Sequence, residues 1–219
     1  MKMRMSKSVD RQRMSGWRPV RVAMDNRRVY LGLNVATYGL VLAGFGAGLV
    51  FPGLQHGQQV RLEQDGTAEL VLSIFHNPWL FAFVILAVNT LKLSLMTIVV
   101  PSLIVPFAGM ALFAYWAAQT GAALAPASDI GWVALIPHSV TLLIELQAYI
   151  LLVLGAFLLG RAWIRPENVG AQTHRGGYLG GLRQLGWLAM PAAGLLVVGA
   201  LYEAFSLRYL LNPLAQWLL

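Results

Sequence analysis

The run PHSVTLLIELQAYILLVLGAFLLG, residues 137–160, constrains this chain more than any other stretch. At about 1.5 Å of rise per residue it is long enough to cross the roughly 30 Å hydrocarbon core of a bilayer as a helix. It nevertheless carries His138 and Glu145. An ionisable side chain near the bilayer centre costs about 2.5 to 3.5 kcal/mol on insertion scales, so it turns toward protein or a wet cavity where a partner offsets the penalty. At about 100° per residue, His138, Thr141, Glu145 and Tyr149 share one sector of the helix while Gln147 points the opposite way. The pattern predicts an oily helix with one polar stripe, and hence a polytopic membrane protein with a polar interior seam.

Composition places the rest of the chain in the same class. Hydrophobic residues make up 58% and charged residues 11%, with mean hydropathy +0.63, whereas about a quarter of an average soluble domain is charged. The net charge of +7 would suit nucleic acid if it covered a globular face. Here the charges flank apolar runs, so they read as topology signals and no nucleic-acid partner is expected. The chain has no cysteine, which removes disulfides, thiolate metal sites and cysteine nucleophiles.

In residues 1–28, Lys2, Arg4, Lys7, Arg11, Arg13, Arg18, Arg21, Arg27 and Arg28 outnumber Asp10 and Asp25. This is the pattern of a cytoplasmic flank drawn to anionic headgroups, with Trp17 at the interface. No convincing small-residue cleavage site follows the first span, which is expected to stay in the mature chain. That span, residues 29–51, holds Gly44 and Gly48 in a small-xxx-small arrangement that lets another helix approach closely. Segment 52–78 carries Glu63, Asp65 and Glu69 against Arg61 and is expected outside.

The second span, 79–100, carries Asn89 and Lys92, and a third apolar segment, 107–119, follows Pro101 and Pro106. Those prolines either turn the chain at the cytoplasmic face or form broken backbone shielded inside the protein. An outer loop at 120–131, a short interfacial turn at 132–136 and a break at Pro137 precede the fourth span. The basic loop 161–185 belongs inside, and a fifth span, 186–201, is expected to kink at Pro191. The expected fold class is all-α, a polytopic transmembrane helical bundle of about five membrane spans with proline-broken helices. It divides into a basic tail (1–28), a membrane domain (29–205) and an apolar tail (206–219), with the N-terminus in the cytoplasm.

Three elements together carry a family resemblance. The pair His76-Asn77 at the start of a membrane helix, the later Pro137-His138-Ser139, and the run IELQAYILLVLGAFLLG (144–160) resemble the stage II sporulation protein M family of bacterial integral membrane proteins. The resemblance covers roughly residues 70–160. It implies a multi-pass protein of the bacterial inner (cytoplasmic) membrane without established catalysis. Such a protein acts as a scaffold or accessory subunit in cell-envelope remodelling or beside transport components, partnered by the lipid bilayer and by other membrane proteins or copies of itself.

The residues alone keep two other classes open. In a transport component, His138, Glu145, Asn89 and Lys92 would relay protons or ions. In an intramembrane hydrolase, His76, His138 and Glu145 would form a metal site or an acid/base pair, but no H-E-x-x-H or comparable tight spacing occurs, so no catalytic, metal or cofactor-binding residue is assigned. Taken singly, Asn89 reads as an interhelical hydrogen-bond donor, Lys92 as a snorkelling side chain and His138 as a helix-end residue. Glu145 reads as the polar anchor of the bundle, facing the hairpin of the second and third spans. Asn89, Thr141, Tyr149 and water rank ahead of Lys92 as its partners.

Overall fold

A computed structural model describes residues 18–51, 53, 74 and 76–219. The first basic residues, Trp17 and nearly all of the expected outer segment therefore lie outside the described residues. Every regular element among the described residues is helical. Helix α1 is Arg18–Asp25 and α2 is Arg27–Val50. Helix α3, Pro78–Ile104, is followed by α4, Ala108–Leu124, and α5, Asp129–Ile164. A 3-10 turn at Pro166–Val169 leads to α6, His174–Tyr209, and α7, Leu211–Leu218, closes the chain.

Among the described residues, four helices, α2, α3, α5 and α6, are long and apolar enough to cross a membrane. The expected third span corresponds to α4, which is shorter, at 17 residues. Helix α5 is the central one, with 61% of its apolar window buried against 22%, 17% and 33% for α2, α3 and α6.

The expected break at Pro137 is corrected by the structure. Helix α5 starts at Asp129, where the Ser128 side chain accepts from Gly131 N, and runs without interruption through the buried Pro137. Helix α6 likewise continues through Pro191. A proline inside a helix forfeits one backbone bond, a loss that packing neighbours can offset. The chain breaks instead at the turn between α3 and α4, where Val105 is extended and Phe107 has φ 67°. That conformation is unfavourable for a bulky residue. The Phe107 ring holds it in place by filling the space beside Gly160, whose missing Cβ would lie 2.8 Å from Phe107 Cε1.

The expected long inner loop shrinks to residues 165–173, because its glycine-rich half is helical. Those glycines serve close packing rather than chain reversal. In the antiparallel hairpin of α5 and α6, a Cβ on Gly177 would collide with the Ala162 carbonyl oxygen, one on Gly181 would lie 2.7 Å from Leu159 Cα, and one on Gly155 would lie 3.0 Å from Leu185 Cα. Each arm has 36 residues, or about 54 Å at the helical rise. The hairpin therefore outreaches the roughly 30 Å hydrocarbon core.

Helices α2 and α4 meet through a second set of glycines. Gly44 faces the Ala118 and Ala122 backbone, Gly48 faces Ala122 and Ala125, and Gly121 faces Val41 and Phe45. Residue numbers rise together along this contact, so the two helices run parallel. The small-xxx-small pair is thus occupied within the chain.

The middle of α3, Val88–Val99, is wound as a π-helix. Ser94 Oγ and Thr97 Oγ1 donate to the carbonyls of Asn89 and Lys92, each five residues back, at 2.8 and 3.0 Å. Such segments occur disproportionately at functional sites.

Candidate intramembrane polar site

Glu145 is the point at which three helices meet. From α3, Asn89 Nδ2 donates to Glu145 Oε1 at 2.5 Å. From α6, Gly199 presents bare backbone, and a Cβ there would lie 2.9 Å from Glu145 Cγ. One turn further along α6, Glu203 Oε1 lies 3.3 Å from His138 Nδ1, with the two side chains 16% and 29% exposed. On this side of α5, His138 and Glu145 thus face α6, and Glu145 also meets α3. Sequence reasoning misses Glu203, because it lies beyond the expected end of the fifth span. A signal for it exists: it is an acidic residue one helical turn after a glycine in an apolar run.

The remaining members of the stripe behave differently from the expected partners of Glu145. Thr141 Oγ1 and the Tyr149 hydroxyl are buried and have no hydrogen-bond partner among the described residues. The Tyr149 ring is held by Phe113 and Trp116 of α4, with centroids at 5.9 and 5.5 Å. Buried polar atoms are nearly always paired, so two unpaired hydroxyls on either side of a carboxyl mark polar capacity that the helices themselves do not use. At the N-terminal end of the stripe, His138 borders a cavity of about 370 Å³ that also touches Ala134, Ser128 and Leu207.

Three sequence candidates stand apart from this cluster. Lys92 is exposed on α3. His76 is exposed just before α3, and Asn77 is the N-cap of that helix, its side chain accepting from Trp79 N and Leu80 N at 3.1 and 3.2 Å. Asn77 therefore has a structural task that any helix start can require. Among the described residues, no group of three His, Cys, Asp or Glu has the geometry to hold a metal ion.

A second polar cluster occupies the opposite side of α5. The Tyr30 hydroxyl donates to Gln147 Oε1 at 2.6 Å, while Gln147 Nε2 donates to Asn34 Oδ1 at 2.7 Å and to the Tyr38 hydroxyl at 2.9 Å. Tyr30, Asn34 and Tyr38 recur every fourth residue along α2, which aligns them on one face. Gln147→Leu removes all three bonds at once. At roughly 0.6 to 2 kcal/mol for an interhelical bond in a membrane, the purified variant is expected to melt several degrees below the parent in a detergent thermal-shift measurement. A melt coincident with the parent would mean that α2 is not held by this cluster.

Comparison with protein-family models, with curated proteins and with solved structures finds no match for this chain.

Proposed function

We propose that this chain is a multi-pass scaffold or accessory subunit of a cell-envelope or transport assembly in the bacterial inner membrane, similar in class to stage II sporulation protein M proteins. The observation that carries the reading is the use of Gln147. Its oxygen and its amide nitrogen are both bound by side chains of α2, so this polar group at membrane depth serves helix assembly rather than a ligand. The wide apolar faces of α2 and α3, with Leu31, Val35, Leu42, Phe83 and Met96 exposed, leave room for lipid and for helices of other subunits.

In this reading α4 makes a fifth crossing. Its 17 residues rise about 25 Å, the lower end of what spans a bilayer. It also runs parallel to α2, as two helices separated by one intervening crossing must. The N-terminus and the 165–173 turn then face the cytoplasm, in keeping with Arg161, Arg165, Arg175 and Arg183 around that turn. A single cysteine at Gln172 is expected to resist a membrane-impermeant maleimide in intact cells and to react after permeabilisation. Isolation in mild detergent is expected to bring other membrane proteins, or further copies of the chain, with it. Labelling in intact cells would overturn the orientation, and a monomer that copurifies with nothing would overturn the assembly role.

A second reading is favoured by a different observation. His138 borders a cavity and meets Glu203, and Thr141 and Tyr149 supply two unused hydroxyls about one turn to either side of Glu145. In this reading the subunit takes up a proton or small cation at the seam. Reconstituted protein would then move protons across liposomes, and Glu203→Gln would abolish the flux; liposomes no leakier than empty ones would remove this reading and leave the scaffold role standing.

A further inference from the structure

We propose that the groove between α1 and α6 is a binding site for one anionic phospholipid. Helix α1 is short and amphipathic, and none of its residues is buried. Val22 and Ala23 pack against the buried cluster of Leu154, Leu158 and Leu188, while the side of α1 that carries Val20 and Met24 stays open. That side forms one wall of a groove of about 530 Å³ whose lining includes Val20, Met24, Trp187, Met190 and Pro191, with Arg27 at its edge. Val20, Met24 and Met190 are 49%, 61% and 63% exposed, so the groove presents apolar side chains that no other described residue covers.

The rim of this apolar slot is cationic. The Arg18 guanidinium lies 5.1 Å from the centre of the Trp187 ring, a cation–π contact that holds a positive charge at the mouth. Arg27 borders the groove directly. Arg21 and Arg28 lie on the same two helices, and Arg183 stands one helical turn before Trp187 on α6. The acidic neighbour on α1, Asp25, lines a separate polar cavity with Arg161 and Gln184 and does not face this groove.

An apolar trough bordered by guanidinium groups matches one acyl chain along the apolar lining and one phosphate beside Arg18 and Arg27. Guanidinium forks bind phosphate oxygens in pairs, and basic pockets between membrane helices take anionic headgroups. A zwitterionic lipid would bring its own ammonium or choline against Arg18 and Arg27 and lose that advantage. The groove shares Tyr30 with the Gln147 cluster, but Arg18, Arg27 and Val20 belong to neither polar seam.

The test uses the full chain in detergent, incubated with equimolar phosphatidylglycerol and phosphatidylcholine of identical acyl chains and read by native mass spectrometry. The parent is expected to retain one phosphatidylglycerol per protomer in clear preference to phosphatidylcholine. Each basic side chain near an anionic headgroup contributes about fivefold, so Arg18→Gln with Arg27→Gln is expected to reduce the preference by roughly thirtyfold. Val20→Trp, at an exposed position, is expected to fill the trough and abolish retention of both lipids. Arg21→Gln, on α1 but not lining the groove, is expected to change the preference by less than about twofold.

The proposal is overturned if the parent shows no preference, if Val20→Trp still retains phosphatidylglycerol, or if Arg21→Gln costs as much as the double substitution. The last result would assign the effect to diffuse charge. A dimer that forms as lipid is withdrawn would overturn it too, by assigning the groove to a second copy of the chain. Should the double arginine variant fail to fold, the Val20→Trp result alone decides.

Discussion

Gly121→Val is expected to lower the thermal midpoint of the purified protein by roughly 6 to 10 °C. A Cβ at Gly121 would collide with the Val41 carbonyl oxygen, lie 2.8 Å from its carbon and lie 3.0 Å from Phe45 N. All three are main-chain atoms of α2, so no rotamer change can clear them and the helices must part. Overpacking of this kind costs about 1 to 3 kcal/mol, and 1 kcal/mol moves the midpoint of a chain this size by about 2 to 4 °C. Separation of α2 from α4 would also strain the Gln147 cluster, which places the effect at the upper end. Gly39→Ala is the matched control, since nothing lies within 4 Å of its Cβ and alanine favours the helix. The Gly39 variant should melt at or slightly above the parent. A Gly121→Val midpoint within about 2 °C of the parent would show that α2 and α4 do not depend on this approach.

The second large effect concerns Glu145. Replacing it by leucine leaves the partly buried Asn89 Nδ2 without its acceptor at 2.5 Å, where the penalty of about 1 to 3 kcal/mol for a buried unpaired donor is the upper bound. Glu145→Leu is therefore expected to lower the midpoint by several degrees and to reduce the yield of intact assembly. Glu145→Gln retains a side-chain oxygen for Asn89 and is expected to stay close to the parent in both measurements. The double variant Asn89→Leu/Glu145→Leu removes both partners and should recover much of what the single leucine loses. If glutamine proves as damaging as leucine, a charged carboxylate is required. If neither single variant differs from the parent, the seam contributes nothing to assembly.

The α5 stripe is legible in the sequence because burial and helical period act on it alone: His138, Thr141, Glu145 and Tyr149 share a face whatever surrounds them. Asn89 can be ranked as the partner of Glu145 because few polar residues interrupt the second span. What cannot be read depends on where helices stop. Glu203 reads as a flanking residue while the last span is expected to end near Leu201, whereas α6 runs on to Tyr209. The segment GGYLGGL has the look of a loop because glycine disfavours helix locally, yet its close packing on α5 outweighs that preference. Pro137 suggests a helix end for the same reason, and tertiary contacts again override the local signal. The Gln147 cluster has a readable half, the Tyr30, Asn34 and Tyr38 spacing, but that α2 packs on this side of α5 is a tertiary fact.

The polar contacts also have an order in time. Asn89 precedes Glu145 in the chain, His138 precedes Glu203, and Tyr30, Asn34 and Tyr38 precede Gln147. As the protein is synthesised from its N-terminus, each carboxyl or amide that arrives late enters a bilayer already holding the groups that will receive it. The early members are amides, phenols and an imidazole, which cost less to leave alone in lipid than a carboxylate does. Within these contacts the acidic members are thus the last to need insertion, and each enters among groups already placed to receive it.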